Sequence, residues 1–185
     1  MAEIHNASMS PSKLELLSSW MPTQDCFIGP AQPQLSKAGG FRLDDPAGLV
    51  GIEFMIVRAL HAGVTVHYSV PMTYRGEPLR GGEPALIGGS VHGLLGHRWI
   101  YDGVEDPVFV EELARLLSGL ALPQHQVRSA EVDAAVLVRT TIRHDEAERA
   151  RVIRVLTQDG LDCSPSVRTT WLGPEGNILS GPVVA

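Results

Sequence analysis

Between Gly39 and Pro107 the chain sets long apolar–polar alternations among closely spaced turn glycines, and no other feature constrains the fold as strongly. Val64, Val66, Tyr68, Val70, Met72 and Tyr74 fall on one face of an extended segment, opposite Thr65, His67, Ser69 and Thr73. Upstream, Ile52, Phe54 and Ile56 share one face of a second segment, and Glu53, Met55 and Val57 share the other. A short loop around His61 and Gly63 joins the two as antiparallel neighbours. Pro71 has no N–H to donate, which predicts an edge or a bulge there. Turn signals at 75–78 and 81–84 precede a third predicted strand over 86–95 and a fourth over 98–101. The glycines at 88, 89, 93 and 96 mark bulges or close backbone approach.

Helices flank this stretch. Ser12 and Glu15 have capping-box spacing, Leu14, Leu16, Leu17, Trp20 and Met21 recur at helical spacing, and Pro22 ends the run. Residues 23–40 read as a surface loop. Asp106 and Pro107 open a second helix with Phe109, Val110, Leu113, Leu116 and Leu117 as its buried stripe, Glu111, Glu112 and Arg115 facing water, and Gly119 at its end. After a polar connector over 120–133, Val136, Val138 and the Ile142 region are expected to pair with 152–156, a short helix over 146–150 being the alternative. A last hairpin is predicted over 169–172 and 178–184. The class is α+β: a curved antiparallel β-sheet with a few α-helices on one side and additional C-terminal β-hairpins. Residues 1–124 are expected to form one unit, with 125–185 a β-rich extension on the same sheet.

At 185 residues the chain buries roughly 70% of its unfolded surface, enough for stability without a staple or metal. A net charge of −6 disfavours nucleic acid as a partner, because phosphate recognition needs clustered Lys and Arg. No apolar run reaches the roughly 20 residues that span a bilayer, so no membrane partner is expected. The opening residues lack a secretory pattern, and Cys26 and Cys163 read as free thiols, so the expected location is cytoplasmic.

Gly88-Gly89-Ser90-Val91-His92-Gly93 approaches a G-x-S-x-G nucleophile motif, which raises a hydrolase built on Ser90 and His92. The motif needs a strand-to-helix turn and an acid behind the base, whereas this segment continues as strand. Side chains two apart on a strand stand about 6–7 Å apart, too far for direct proton transfer. The bland reading has both residues bonding nearby backbone. His92 and His97 are five positions apart and point to opposite faces, so no metal site is expected. Tyr68, Tyr74, His92, Trp99 and Tyr101 are candidates to line a concave sheet face that takes a sugar or another small ligand. Arg42, Asp44 and Asp45 could clamp a ligand, although acids before a Pro-Ala-Gly run are usually turn formers. Arg75, Arg98 and Asp102 are expected to form an ion-pair network or a polar groove wall. Arg139, Arg143, Arg149, Arg151 and Arg154 are offset by Asp145, Glu146, Glu148 and Asp159, giving a solvated, near-neutral hairpin.

GGFRLDDPAGLVGIE, PMTYRGEPL and LIGGSVHGLLGHRWIYDGVEDP, with PSKLELLSSWMP before them, resemble the N-terminal cap domain of bacterial maltokinases and related aminosugar kinases. The resemblance runs from about Glu3 to Gln124. It also extends to stand-alone cap-like proteins often labelled 1,4-alpha-glucan branching proteins, although a branching-enzyme barrel takes about 250 residues. It implies a noncatalytic α+β appendage in α-glucan, trehalose or aminosugar metabolism. About 60 residues follow Gln124 where the kinases carry two lobes, and the only lysines, Lys13 and Lys37, lie upstream of the resembling strands. Phosphoryl transfer also needs a catalytic Asp and magnesium ligands. No kinase activity and no cofactor are therefore expected. The reading favoured is contact with a sugar-metabolising enzyme or with a second copy, through sheet edges and the NILSGPVVA segment.

Overall fold

A computed structural model describes residues 8–128, 131–141, 144–158 and 165–185. The elements are β1 (Met9–Ser10), α1 (Lys13–Trp20), β2 (Leu35–Asp44), β3 (Val50–His61), β4 (Val64–Arg75), β5 (Leu86–His92), β6 (Gly96–Asp102), α2 (Pro107–Leu117), β7 (Leu137–Arg139), α3 (His144–Arg149), β8 (Val155–Leu156), β9 (Ser166–Leu172) and β10 (Ile178–Val184). One antiparallel sheet runs β1-β5-β6-β4-β3-β2-β9-β10, with β7 joining β9 and β8 joining β4. The class is α+β, as expected.

The β3–β4 hairpin is the spine. Its twelve pairs run without a register shift from Val50↔Arg75 to His61↔Val64. Ala62 and Gly63 turn it with φ of 49° and 78°, the two positive values that a two-residue type I′ connection requires. Both faces of the spine are covered. Phe41, Leu43, Ile52, Phe54 and Ile56 pack with Phe109, Leu113, Leu116 and Leu117 of α2 and with Val167, Trp171, Val183 and Val184 of the C-terminal hairpin. Met55, Val57, Tyr68, Val70 and Met72 pack with Leu17 and Met21 at α1. Helices therefore lie on both sides of the sheet. The expectation of one side fails because β3 is apolar on both faces, and each face needs a cover.

Three other expectations change. Residues 35–40 are strand, not loop: β2 carries a register shift between Lys37 and Gly39, and that extra residue breaks the alternation by which a strand is recognised. On α2, Val110 is half exposed and Glu112 is buried, because Glu112 lies three residues after Phe109 and four before Leu116, inside the apolar stripe. Burial pushes the Glu112 carboxyl up, partly offset by Arg115 beside it. Val138 pairs with Val167, and Val152 bridges Val184, so the expected pairing of 136–142 with 152–156 is replaced. The alternative helix forms there as α3, while Ile142 lies outside the described residues. The last hairpin forms as predicted and joins the main sheet through Gly39↔Trp171.

Pro71 sits inside a paired strand. The Ser69 N–H donates away from β3, to Arg154 O, so by alternation the missing N–H of Pro71 also faces away from β3. On that side β8 meets β4 at His67 and Tyr68, and β6 meets it from Met72 to Arg75. Pro71 falls in the gap between them, where it forfeits no ladder bond.

Candidate functional site

The Ser90–His92 pair is structural. Ser90 is buried, and its Oγ donates to Pro11 O at 2.7 Å, tying β5 to the start of α1. His92 Nδ1 accepts from the N–H groups of Leu94 and Leu95, shaping the β5–β6 turn. The hydroxyl proton is thus committed to a backbone carbonyl and not to the imidazole, and the hydrolase reading loses its geometric basis. Ser90→Ala is expected to cost about 1–2 kcal/mol of stability in urea unfolding while leaving ester hydrolysis at background.

The five proposed ligand residues do not share a surface. Tyr68 and Tyr74 stand on the α1 face. Tyr68 is buried, with its hydroxyl 3.0 Å from Ile28 N, and Tyr74 donates to Glu53 at 2.7 Å. Trp99 and Tyr101 lie opposite Arg75 and Thr73, on the other face, and the Tyr101 hydroxyl accepts from Leu79 N. The period of two separates 68, 74 and 92 from 99 and 101.

The charged candidates also divide. Asp45 closes a turn by accepting from Ala47, Leu49 and Val50 N–H groups, the turn-forming role weighed for it. Arg42 and Asp44 lie 3.9 Å apart on β2. Arg75 pairs with Asp106 and Asp102 pairs with Arg154, so the expected Arg75–Arg98–Asp102 network is absent, and Arg98 lies over Gly76. Arg154 belongs to no solvated hairpin. Nη2 donates to both oxygens of Asp102, at 2.7 and 2.6 Å, across the gap beside Pro71.

Two interior networks escaped the pattern reading. Glu53 is buried on the α1 face and accepts from Lys13, Tyr74 and Gln126, with Lys37 3.9 Å away. Both lysines of the chain thus converge on one carboxylate. Burial pushes the Glu53 carboxyl up, but the lysines and the Tyr74 hydroxyl outweigh it and hold the group below its ordinary range. Tyr74 is raised well above the usual phenol range by burial and by Glu53. The second network joins Thr73, Arg75 and Asp106 at the start of α2. The hint of the first was an acid inside an apolar run; of the second, the sequence showed only the helix-capping part of Asp106. His67 is likewise interior: its Nε2 lies 3.1 Å from Leu172 O, and burial lowers its imidazolium.

What remains exposed is a surface on the β5–β6 hairpin. Val91 stands opposite His97, and Gly89 opposite Trp99, so these side chains share one face. The His97 and Trp99 rings lie 4.2 Å apart, and a Cβ on Gly89 would sit 2.9 Å from His97 Nε2, so the glycine makes room for the imidazole. Val91, Leu94 and Leu95 are 55%, 69% and 46% exposed around this pair. Outside β5, the sheet carries only the two residues of β1 among the described residues. Among those residues no three His, Cys, Asp or Glu groups converge as a metal site would require, and no helix is long and apolar enough to cross a membrane.

Residues 20–106 match the family model described as the maltokinase N-terminal cap domain, a span that holds the whole meander from β2 to β6. No curated protein and no solved structure matches the chain.

Proposed function

We propose, from the match of residues 20–106 to the maltokinase N-terminal cap domain, that this chain is a noncatalytic docking module of α-glucan, trehalose or aminosugar metabolism. It acts by contact with a sugar-metabolising enzyme. The observation that carries the reading is the division of labour among its side chains. Ser90, His92, Tyr74, Asp102 and Asp106, which carry the chemistry, are bound into internal structure. The β5–β6 hairpin turns apolar and aromatic groups outward. Apolar side chains around an aromatic anchor are what a protein interface uses, and a solvated surface gains nothing from them.

The test is binding of the purified chain to purified maltokinase lobes that lack their own cap, measured by calorimetry. Saturable binding is expected, and Val91→Asp with Leu95→Asp is expected to weaken it by about tenfold or more. Both positions are exposed, so the unfolding free energy should move by no more than about 0.5 kcal/mol each. Undisturbed binding by the double variant removes the hairpin from the interface. Lack of binding, or phosphorylation of a sugar by the isolated chain, overturns the docking reading.

A further inference from the structure

The chain holds two lysines, Lys13 on α1 and Lys37 on β2, and both meet one buried carboxylate, Glu53 on β3. Their side chains are almost equally exposed, 34% for Lys13 and 41% for Lys37. Exposure alone therefore predicts that a reagent in solvent reaches both amines equally well.

Their bonding differs. Lys13 Nζ donates directly to Glu53 Oε2 and lies 5.1 Å from the centre of the Tyr74 ring, where the π-face attracts a cation. Tyr74 donates to the same carboxylate oxygen and Gln126 to the other, at 2.7 and 2.8 Å. Lys37 stays outside this arrangement. Its Nζ stands 3.9 Å from Glu53 Oε1 and makes no hydrogen bond among the described residues.

An amine attacks through the lone pair of its neutral form, so a contact that holds the proton in place protects it. Lys13 is protected twice, by the carboxylate and by the ring. Lys37 is half-desolvated and has a second cation nearby, the two conditions that make a lysine nucleophilic. Burial pushes the Lys37 ammonium below the ordinary lysine range; Glu53 opposes the shift, and the Lys13 charge adds to it.

We propose that Lys37 is a modification site, the lysine of this chain that accepts an acyl group from a small activated donor, an acyl phosphate or an acyl thioester. In the step, a bond forms between Lys37 Nζ and the acyl carbon. The bond from that carbon to the phosphate oxygen or thiolate sulfur breaks, and the amine proton leaves to solvent. The products are a neutral amide and a free phosphate or thiol, and nothing is oxidised or reduced. The cluster loses one positive charge. Glu53 then keeps Lys13 alone, so the modification acts on the contact that ties α1 to the sheet. Strands β3 and β4 separate β2 from the β5–β6 docking hairpin, and the proposal does not rest on docking.

The experiment incubates the full chain with acetyl phosphate and, separately, with acetyl-coenzyme A. Nα-acetyl-lysine amide serves as a reference amine in the same tube, and peptide mass spectrometry follows acetylation at each lysine. Lys37 is expected to react about fivefold or more faster than Lys13, and its rate to level off at a lower pH than that of the reference amine. Reaction with one donor alone identifies the source of the acyl group, and reaction with both shows that the amine itself decides. Lys13→Met removes the neighbouring cation and frees Glu53 for Lys37, so the Lys37 rate is expected to fall about threefold or more. A lysine that is merely exposed would not respond. Glu53→Gln releases Lys13 and is expected to bring the two rates together; if that variant does not fold, Lys13→Met carries the test. Lys37→Gln, which copies the acylated side chain, is expected to melt about 1–3 °C below Lys37→Arg, which keeps the charge. Equal rates at the two lysines, no acetylation by either donor, or a Lys37 rate that Lys13→Met leaves unchanged overturns the proposal. Equal Tm for Lys37→Gln and Lys37→Arg overturns the effect on α1.

Discussion

Asp106→Ala is expected to be among the most damaging single substitutions in the chain, costing about 3–4 kcal/mol in denaturant unfolding and lowering Tm by about 10 °C. The carboxylate is completely buried and carries four bonds at once. Arg75 donates to it from Nε and Nη2 at 2.7 and 2.6 Å, the Thr73 hydroxyl at 2.7 Å, and Val108 N–H at 3.0 Å as the cap of α2. Truncation strands a mostly buried guanidinium and uncaps the helix in one step. Asp106→Asn keeps the cap and should cost less. Arg75→Met placed on Asp106→Ala should recover part of the loss by removing the stranded charge, and a double-mutant cycle measures the coupling. Burial pushes the Asp106 carboxyl up, but Arg75, Thr73 and Val108 together hold it below the ordinary range. A depressed carboxylate stabilises fully above its unfolded value and loses that contribution as the pH falls. The wild type should therefore weaken progressively below about pH 4, and the part of that loss that belongs to Asp106 should vanish in Asp106→Ala. An equal acid slope in both proteins would contradict the assignment.

Gly40→Ala carries a loss of similar size for a different reason. Gly40 has φ of +128°, and an added Cβ would lie 1.9 Å from Phe54 O and 2.7 Å from Gln126 Nε2. The first clash is with the backbone of the neighbouring strand β3, which cannot turn aside, and the second is with the amide that bonds Glu53. A loss of about 3 kcal/mol or more is expected, or failure to fold. Gly63→Ala provides the contrast. Its φ is +78°, and nothing lies within 4 Å of its Cβ, so only the backbone preference is paid, about 1 kcal/mol. Equal losses at the two positions would show that the crowding at Gly40 is not real.

The β3–β4 spine, the capping box of Ser12 and Glu15, the Asp106–Pro107 helix start and the last hairpin were all legible in the sequence, because each is a local pattern. Alternation needs about six residues and a cap needs four. Local patterns fail where one residue shifts the phase. The extra residue between Lys37 and Gly39 hid half of β2, and the apolar residues beside Glu112 did not reveal that the acid itself turns inward.

The candidate site was less legible. Tyr68, Tyr74, His92, Trp99 and Tyr101 seemed one group because they are aromatic and near one another in the chain, yet pleating sends them to two faces. Arg154 read as part of a solvated patch, because its partner Asp102 is 52 positions away in the chain.

From the sequence alone come the α+β class and the antiparallel core, which follow from periodicity, and the resemblance to the maltokinase cap domain, carried by motifs spread along one continuous stretch. Only the tertiary structure decided that helices cover both faces, that both lysines meet at Glu53, and that Arg154 pairs with Asp102 across the gap beside Pro71. Those contacts join residues tens of positions apart. Their formation depends on which strands become neighbours, and strand order is set by how both faces of the sheet bury their apolar surface together, which no short window of residues encodes.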